Sequence, residues 1–374
     1  NNFWNYFKLN KKKNTLKMKK VLIVTGGSGG HVIPALSIYD HLKNDFNTSI
    51  VSDVRGTNFI NNKYNFDLIN VPNLFSKLYL LPINLIKFVI CILKSFFYLK
   101  KNNTNILIST GGYMSLPLCL AAKILKIKII LFEPNSLIGR TNRIMLKISH
   151  KIICYDNELK LFPTKYNNKI YLIDRILRKE IYLCKKNNKK DFDDIKKILI
   201  IGGSQGARFF DQNITKLILN ISKKIKLQIY QQYYDNKEKL IAEDKYNNAG
   251  IKNKLFRFDE KLSQNIYDFD LAITRSGASS ISELSYLNIP FIAIPFPFAK
   301  DDHQFYNAKY YEKKGCCWLI HQKNFDIVRM ENLIISIFSN KEDYFNKKEN
   351  LKKISNQNTW NNINKKLIDL INEN

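Results

Sequence analysis

Residues 24–36 read VTGGSGGHVIPAL, with glycines on both sides of one serine and then His31, directly after an apolar run. A glycine-rich turn between a strand and a helix suits an anion, because glycines reach positive φ and a helix start offers unpaired N–H groups carrying partial positive charge. His31 adds a side chain that takes up and releases protons near neutral pH. The combination suggests anion binding beside general base chemistry. A second turn of the same design, IGGSQGARFFDQN, occupies residues 201–213. A third stretch, TRSGASSISELSYLNIPFIAIPFPFAKDDHQFYNA at 274–308, ends a strand at Arg275-Ser276-Gly277 and opens a helix near Ser279 and Ser280. Glu283, about one turn into that helix, is placed to accept hydrogen bonds from a ribose diol. Asp302, His303, Gln304 and Asn307 follow and are suited to reading sugar hydroxyls.

Two rival phosphate binders are tested by spacing. A dinucleotide fold would use Asp53, at the end of the second apolar run, to grip an adenosine ribose. Reading G-x-G-x-x-G from Gly27 accommodates Gly29 but puts Val32 at the third glycine, so the fingerprint fails. No G-x-x-x-x-G-K-[ST] run occurs, which argues against a P-loop hydrolase.

The elements that must position these residues alternate along the chain. KVLIVT (20–25), TSIVSD (48–53), NILIST (105–110), KIILFE (128–133) and KIICYD (151–156) are short β-branched runs separated by stretches of helical period. After the polar patch CKKNNKKDFDD (184–194) the pattern restarts with KKILII (196–201), KLQIYQQ (226–232), NKLFRF (253–258), LAITRSG (271–277) and PFIAIPF (290–296). Two α/β domains with parallel sheets are expected. Boundaries are placed at 18–172 and 173–350, with 351–374 as a C-terminal helix packing on the first domain. Residues 1–17 read as a disordered extension ahead of Met18.

The 374 residues carry 60 Lys+Arg against 32 Asp+Glu, a net charge of +28, which favours anionic partners; Lys, Asn and Ile enriched in every segment also fit a biased genome. The cysteines at 91, 119, 154, 184, 316 and 317 form no C-x-x-C pair and read as buried, reduced thiols. The histidines at 31, 41, 150, 303 and 321 show no zinc spacing, so no metal site is expected.

GGSGGHVIPAL, STGGYMSLPLCLAAKILKIKIILFEPNSLIGRTN, IGGSQGAR and RSGASSISE with PFPFAKDDHQFYNA resemble, in order and separation, the blocks of the MurG-type N-acetylglucosaminyltransferases of bacterial peptidoglycan synthesis. The resemblance runs from about Met18 to about Gly315. It implies a GT-B glycosyltransferase architecture, two Rossmann-like parallel-sheet domains facing a central cleft, with no cofactor and no metal. The implied reaction is inverting transfer of N-acetylglucosamine from UDP-GlcNAc to the C4 hydroxyl of the muramyl peptide of lipid I, giving β-1,4-linked lipid II at the cytoplasmic face of the inner membrane, a step of cell wall growth and division. Carried over by position, His31 is the base, and Gly27, Ser28 and Gly29 lie near the reacting sugar. Asn135 lies near the donor hydroxyls, Ser204 and the helix start at Ala278, Ser279 and Ser280 at the diphosphate. Glu283 falls at the ribose, Gln304 at the GlcNAc ring and Arg178 at the leaving phosphate.

Two positions depart from the family pattern. Asp174-Arg175-Ile176 stands before Leu177-Arg178 where a glycine, asparagine and proline are usual, leaving Arg175 as an alternative to Arg178. Asp259 follows Phe258 where an apolar residue commonly meets the uracil. Residues 78–99, LYLLPINLIKFVICILKSFFYL, are long enough to span a bilayer but contain Lys87 and Lys94, each costing about 2.5–3.5 kcal/mol near its centre. With Lys101 these lysines repeat every seven residues on one helical face, which suggests a helix lying on an anionic membrane surface through residues 75–101. The other reading is a core helix with one solvated edge. Two alternatives to the function are a related enzyme acting on another lipid acceptor and a basic, non-catalytic RNA- or membrane-binding protein. Lysines scattered over both halves, with no aromatic-basic motif, argue against nucleic acid.

Overall fold

A computed structural model describes residues 18–72, 79, 81–203, 207–257, 259, 262 and 266–373. Two compact units emerge: the first comprises the chain up to Phe132, Arg140–Ile153 and Asn364–Asn374, the second Glu133–Gly139 and Cys154–Ile363.

In the seven-stranded sheet, β1 (Lys20–Val24) pairs in parallel with β2 (Asn47–Ser52) on one side and β4 (Ile106–Ser109) on the other. With β3 (Phe66–Leu68), β5 (Lys128–Glu133), β6 (Lys151–Cys154) and β7 (Ile170–Leu172) the sheet has the order β3-β2-β1-β4-β5-β6-β7. Val21, Leu22, Ile23 and Val24 are all buried, as a strand covered on both faces by helices requires. The glycine turn feeds α1 (Gly29–Leu42); α2 (Leu81–Lys101), α3 (Ser115–Ile124) and α4 (Arg140–Met145) follow.

The second unit holds a six-stranded sheet in which β8 (Lys196–Ile201) pairs in parallel with β9 (Leu227–Gln232) and β11 (Leu271–Thr274). β10 (Lys252–Phe256), β12 (Phe291–Ala293) and β13 (Cys317–Leu319) complete the order β10-β9-β8-β11-β12-β13. Around it lie α5 (Lys179–Leu183), α6 (Arg208–Ser222), α7 (Asn236–Asn248), α8 (Ala278–Tyr286), α9 (His303–Lys313), α10 (Ile327–Ser339) and α11 (Lys341–Ser355). Ile198 and Ile200 pack with α6 on one face, while Leu199 and Ile201 pack with α8 on the other. In both units the chain order reverses beside the first strand, β1 and β8. Ligands of open parallel sheets bind outside the carboxyl ends of strands at such a switch.

The two expected parallel-sheet units are therefore present. The division differs from a single cut between 172 and 173, because residues 133–139 and 154–363 group with the second unit. The segment 351–374 is the end of α11 followed by a separate helix, α12 (Trp360–Asn372), whose residues from Asn364 belong to the first unit. There Lys128 Nζ donates to Leu370 O at 3.0 Å and Lys19 Nζ to Ile371 O at 3.3 Å, supplying cations to the carbonyl end of the helix. The six cysteines are free thiols, with Cys184 half-buried and the others buried. Residues 1–17 lie outside the described residues.

Candidate functional site

In the first unit the site is built on the end of β1. Gly27 has φ +80, and a Cβ on Gly26 would stand 2.6 Å from Asp53 Oδ1 and 2.8 Å from Met114 Cγ. Only glycine fits there. Asp53 is 6% exposed, and its Oδ1 accepts the N–H groups of Gly27 and Gly56, both at 2.8 Å, while Oδ2 accepts Arg55 Nε at 3.1 Å and Nη2 at 3.0 Å. Burial alone would raise this carboxyl; the hydrogen bonds from Gly27, Gly56 and Arg55 hold it below its ordinary value. Asp53, the residue that suggested a ribose grip in the rejected dinucleotide reading, is occupied in bracing the turn.

Ser28 is the N-cap of α1 in extended conformation and makes no side-chain cap hydrogen bond. Its carbonyl accepts His31 N at 3.0 Å and Val32 N at 3.2 Å. The N–H groups at a helix start have no intrahelical partner, which leaves this turn able to receive an anion. His31 is half-buried, and its Nδ1 lies 2.7 Å from Thr110 O. A carbonyl only accepts, so Nδ1 carries a proton, and in the neutral ring Nε2 holds the lone pair. Gly111 (φ +88) and Gly112 (φ +82) lie against the ring; a Cβ on Gly111 would be 3.3 Å from His31 Cε1. The paired glycines of STGGYMS thus seat the imidazole, a role that sequence reading missed although the pair itself was conspicuous.

In the second unit, β11 ends in Arg275-Ser276-Gly277, and Gly277 caps α8 without a side-chain hydrogen bond. Ala278, Ser279 and Ser280 are half-buried in the first turn. Glu283, 8% exposed, meets Arg178 in a two-pronged pair, with Oε1 accepting Nε at 2.8 Å and Oε2 accepting Nη2 at 2.7 Å. The sequence reading put these two residues on different parts of a ligand; the structure pairs them. Arg178 locks the carboxylate plane, and each oxygen keeps a lone pair for another donor. Arg175, the alternative arginine, lies over the rings of Tyr155, Tyr310 and Tyr311 at 5.3, 4.6 and 4.9 Å. Its cation is held by aromatic faces, which separates its role from that of Arg178.

Gln304 Oε1 accepts Ser276 N at 3.2 Å and Phe296 N at 3.0 Å, which fixes the amide with its NH2 opposite. Asn307 is 3% exposed; its Nδ2 donates to Asn135 Oδ1 at 3.0 Å and to Ser276 O at 3.1 Å, and its Oδ1 accepts Ser136 N at 2.9 Å. Glu133 completes the loop, with Oε1 accepting Asn135 Nδ2 at 2.9 Å and Oε2 accepting Gly139 N at 2.7 Å. Asn307, which holds Asn135, and Gln304 thus meet at Ser276, the first at its carbonyl and the second at its N–H, all within the second unit. Asp259 accepts Lys254 Nζ at 2.6 Å, so its charge is already engaged. Ser204 and Phe258 lie outside the described residues, and His303 is bound to its own turn through Lys300 O at 2.9 Å. Among the described residues no group of His, Cys, Asp and Glu has the makings of a metal site.

Family models for the N-terminal and C-terminal domains of glycosyltransferase family 28 match residues 21–154 and 197–365. The chain is 48% identical over 363 residues, covering 95% of itself and 99% of the relative, to the UDP-N-acetylglucosamine–N-acetylmuramyl-(pentapeptide) pyrophosphoryl-undecaprenol N-acetylglucosamine transferase of Pelagibacter ubique. It is 32% identical over 347 residues to the like-named enzyme of Rickettsia bellii, covering 90% of this chain and 95% of that one. Among solved structures, Acinetobacter baumannii MurG superposes with a TM-score of 0.75 at 22% identity, over 94% of this chain and 99% of that one. A UDP-GlcNAc 2-epimerase from Neisseria meningitidis, bound to UDP-GlcNAc, superposes with a TM-score of 0.65 at 14% identity, over 95% of this chain and 100% of that one. These structural likenesses speak to the fold.

Proposed function

The chain belongs to glycosyltransferase family 28, and from that membership we propose a division of labour in which the second unit holds UDP-GlcNAc and the first supplies the base. The reaction is transfer of N-acetylglucosamine from UDP-GlcNAc to lipid I, forming lipid II. His31 Nε2 accepts the proton of the muramyl C4 hydroxyl as that oxygen bonds to the anomeric carbon. The bond from the anomeric carbon to the UDP oxygen breaks, and its electron pair leaves with UDP. Attack from the face opposite UDP inverts the α-linked donor to a β-linked product in one step.

The observation that carries this reading is the 2.7 Å contact of His31 Nδ1 with Thr110 O, which turns the basic nitrogen away from the backbone. Gly27, Ser28 and Gly29 line the same turn and place the acceptor sugar and its diphosphate. On the donor side, Glu283, oriented by Arg178, accepts the ribose hydroxyls. Asn135 and Gln304 read the GlcNAc ring, and Ser204 with the α8 start at Ala278, Ser279 and Ser280 receives the diphosphate, whose growing charge is met by fixed N–H dipoles and the remaining donors of Arg178.

The acceptor is a membrane lipid, and α2 supports binding at a bilayer surface. Asn84, Phe88, Cys91, Ser95 and Leu99 face inward, while Ile83, Leu85, Ile86, Val89, Leu93 and Phe97 are exposed. By length and composition the helix is apolar enough to cross a bilayer, but Lys87, Lys94 and Lys101 lie exposed along it, which favours a surface position. Exposed apolar residues over the helix length also disfavour a core helix with one wet edge. Residues 75–78 and 80 of the expected patch lie outside the described residues. These exposed apolar and cationic residues support a peripheral position at the cytoplasmic face of the inner membrane.

One assay tests both statements. UDP release from UDP-GlcNAc is expected to require a lipid I analogue. With the analogue in anionic vesicles, Ile86→Asp should lower the rate about ten-fold or more, since a charge replaces a lipid-facing residue, yet leave turnover of a short-chain soluble analogue unchanged. Acceptor-independent UDP release contradicts the transfer; equal loss on both acceptors contradicts the membrane contact.

A further inference from the structure

Arg275 follows β11 and is 5% exposed. Its Nη1 donates to Ile294 O at 3.0 Å and Pro295 O at 3.1 Å, and Nη2 donates to Gln322 Oε1 at 2.7 Å. All three acceptors are neutral. The guanidinium carbon lies 5.5 Å from the Phe209 ring and 4.9 Å from the Phe210 ring, so the cation sits against the first turn of α6. Its backbone N–H donates to Ile201 O, the last residue of β8, at 3.2 Å. Among the described residues no carboxylate forms an ion pair with it. Burial pulls its pKa below the ordinary arginine value, to about 10, with no neighbouring anion opposing the shift.

This is a charged side chain at the carboxyl ends of two paired central strands, beside the positive ends of α6 and, two residues further on, α8. Helix starts of this kind favour anions. A buried cation with only neutral partners is costly in the empty protein, and an anion arriving nearby offsets part of that cost. If the side chain served only to tie β12 to Gln322, hydrogen-bond donors without charge would do the same. The rings of Phe209, Phe210 and Phe296, the last at 5.6 Å, offset part of the cost but bring no countercharge, and the donor carries one.

We propose that Arg275 is a positioning residue for the donor diphosphate: a buried cation whose countercharge arrives with UDP, so that the second unit selects a diphosphate-bearing ligand over the bare nucleoside. The inference rests on the reading of that unit as the donor site, and adds a residue that acts through α6 and the turn at 276–280. It also accounts for an arginine where three neutral acceptors would accept a neutral donor.

The test is calorimetric binding of UDP and of uridine to the full chain, comparing wild type with Arg275→Gln and Arg275→Lys. Arg275→Gln keeps donors near the same carbonyls and removes the charge; it is expected to weaken UDP about ten-fold or more, the scale of one partly screened charge pair, with uridine unchanged. Arg275→Lys keeps the charge and forfeits the fork, and should hold the UDP-to-uridine ratio within about three-fold of wild type, since the charge term survives. UDP and uridine weakened equally in Arg275→Gln would make the residue a structural clamp and overturn the proposal. So would a ratio lost equally in Arg275→Gln and Arg275→Lys, which assigns the effect to hydrogen-bond geometry. Should Arg275→Gln not fold, Arg275→Lys decides alone, a collapsed ratio overturning the proposal and a retained one supporting it. A wild type that does not prefer UDP to uridine overturns the donor-site reading itself; a wild type that does, with Arg275→Gln indistinguishable from it, overturns only the present inference.

Discussion

His31→Ala is expected to lower kcat by about 10²- to 10⁴-fold, the usual yield of a positioned general base, while the dissociation constant for UDP-GlcNAc stays within about three-fold because donor binding is assigned to the other unit. The size of the loss follows from geometry. Thr110 O holds Nδ1 as the donor at 2.7 Å, so the ring presents one basic nitrogen in one orientation, and Gly111 and Gly112 leave it room. Truncation at Cβ removes the proton acceptor without touching the Asp53 brace, so the glycine turn keeps its shape. Rate measurements at saturating donor and acceptor, with donor binding measured separately, check this. A His31→Ala enzyme retaining more than about a tenth of wild-type kcat would reduce the residue to a structural part of the turn.

Glu283→Ala is expected to raise the donor KM by about 10- to 100-fold, since hydrogen bonds to a charged carboxylate are worth about 1.5–3 kcal/mol each. The acceptor KM should change far less. Two effects add. The ribose loses its acceptor, and Arg178 loses the partner that orients it at 2.7 and 2.8 Å. Steady-state kinetics against both substrates, with Glu283→Gln alongside, separates them: the amide keeps shape and part of the hydrogen bonding, so it should fall between wild type and alanine. An unchanged donor KM in Glu283→Ala removes the ribose role.

The strands that carry the site were legible in the sequence because they are buried on both faces. Runs such as KVLIV and KKILII have no other use for consecutive β-branched residues. The short strands Phe66–Leu68, Ile170–Leu172 and Cys317–Leu319 were not legible, because each is only partly buried, whereas the equally short Phe291–Ala293 is fully buried within PFIAIPF. The glycine turns and the helix starts after them were also visible, since glycine at a strand end has a backbone reason. What spacing does not reveal is pairing at long range. Arg178 and Glu283 stand 105 residues apart, and Asn135 and Asn307 stand 172 apart. In sequence each was a lone polar residue beside a motif; only the folded second unit joins them. Asp53 shows the converse. A carboxylate at a strand end suggested a ribose in one reading, while the backbone N–H groups of Gly27 and Gly56 were nearer claimants that no motif announces.

The proposed base His31 and an α-linked donor imply one inversion at the anomeric carbon. The most direct measurement is therefore the anomeric configuration of the disaccharide product, read from its proton coupling by NMR after reaction of UDP-GlcNAc with a lipid I analogue. A β-1,4 linkage formed by the wild type and lost with His31→Ala is the expected result. An α-linked product, formed with retention, would contradict the inverting account and the role proposed for His31 in it.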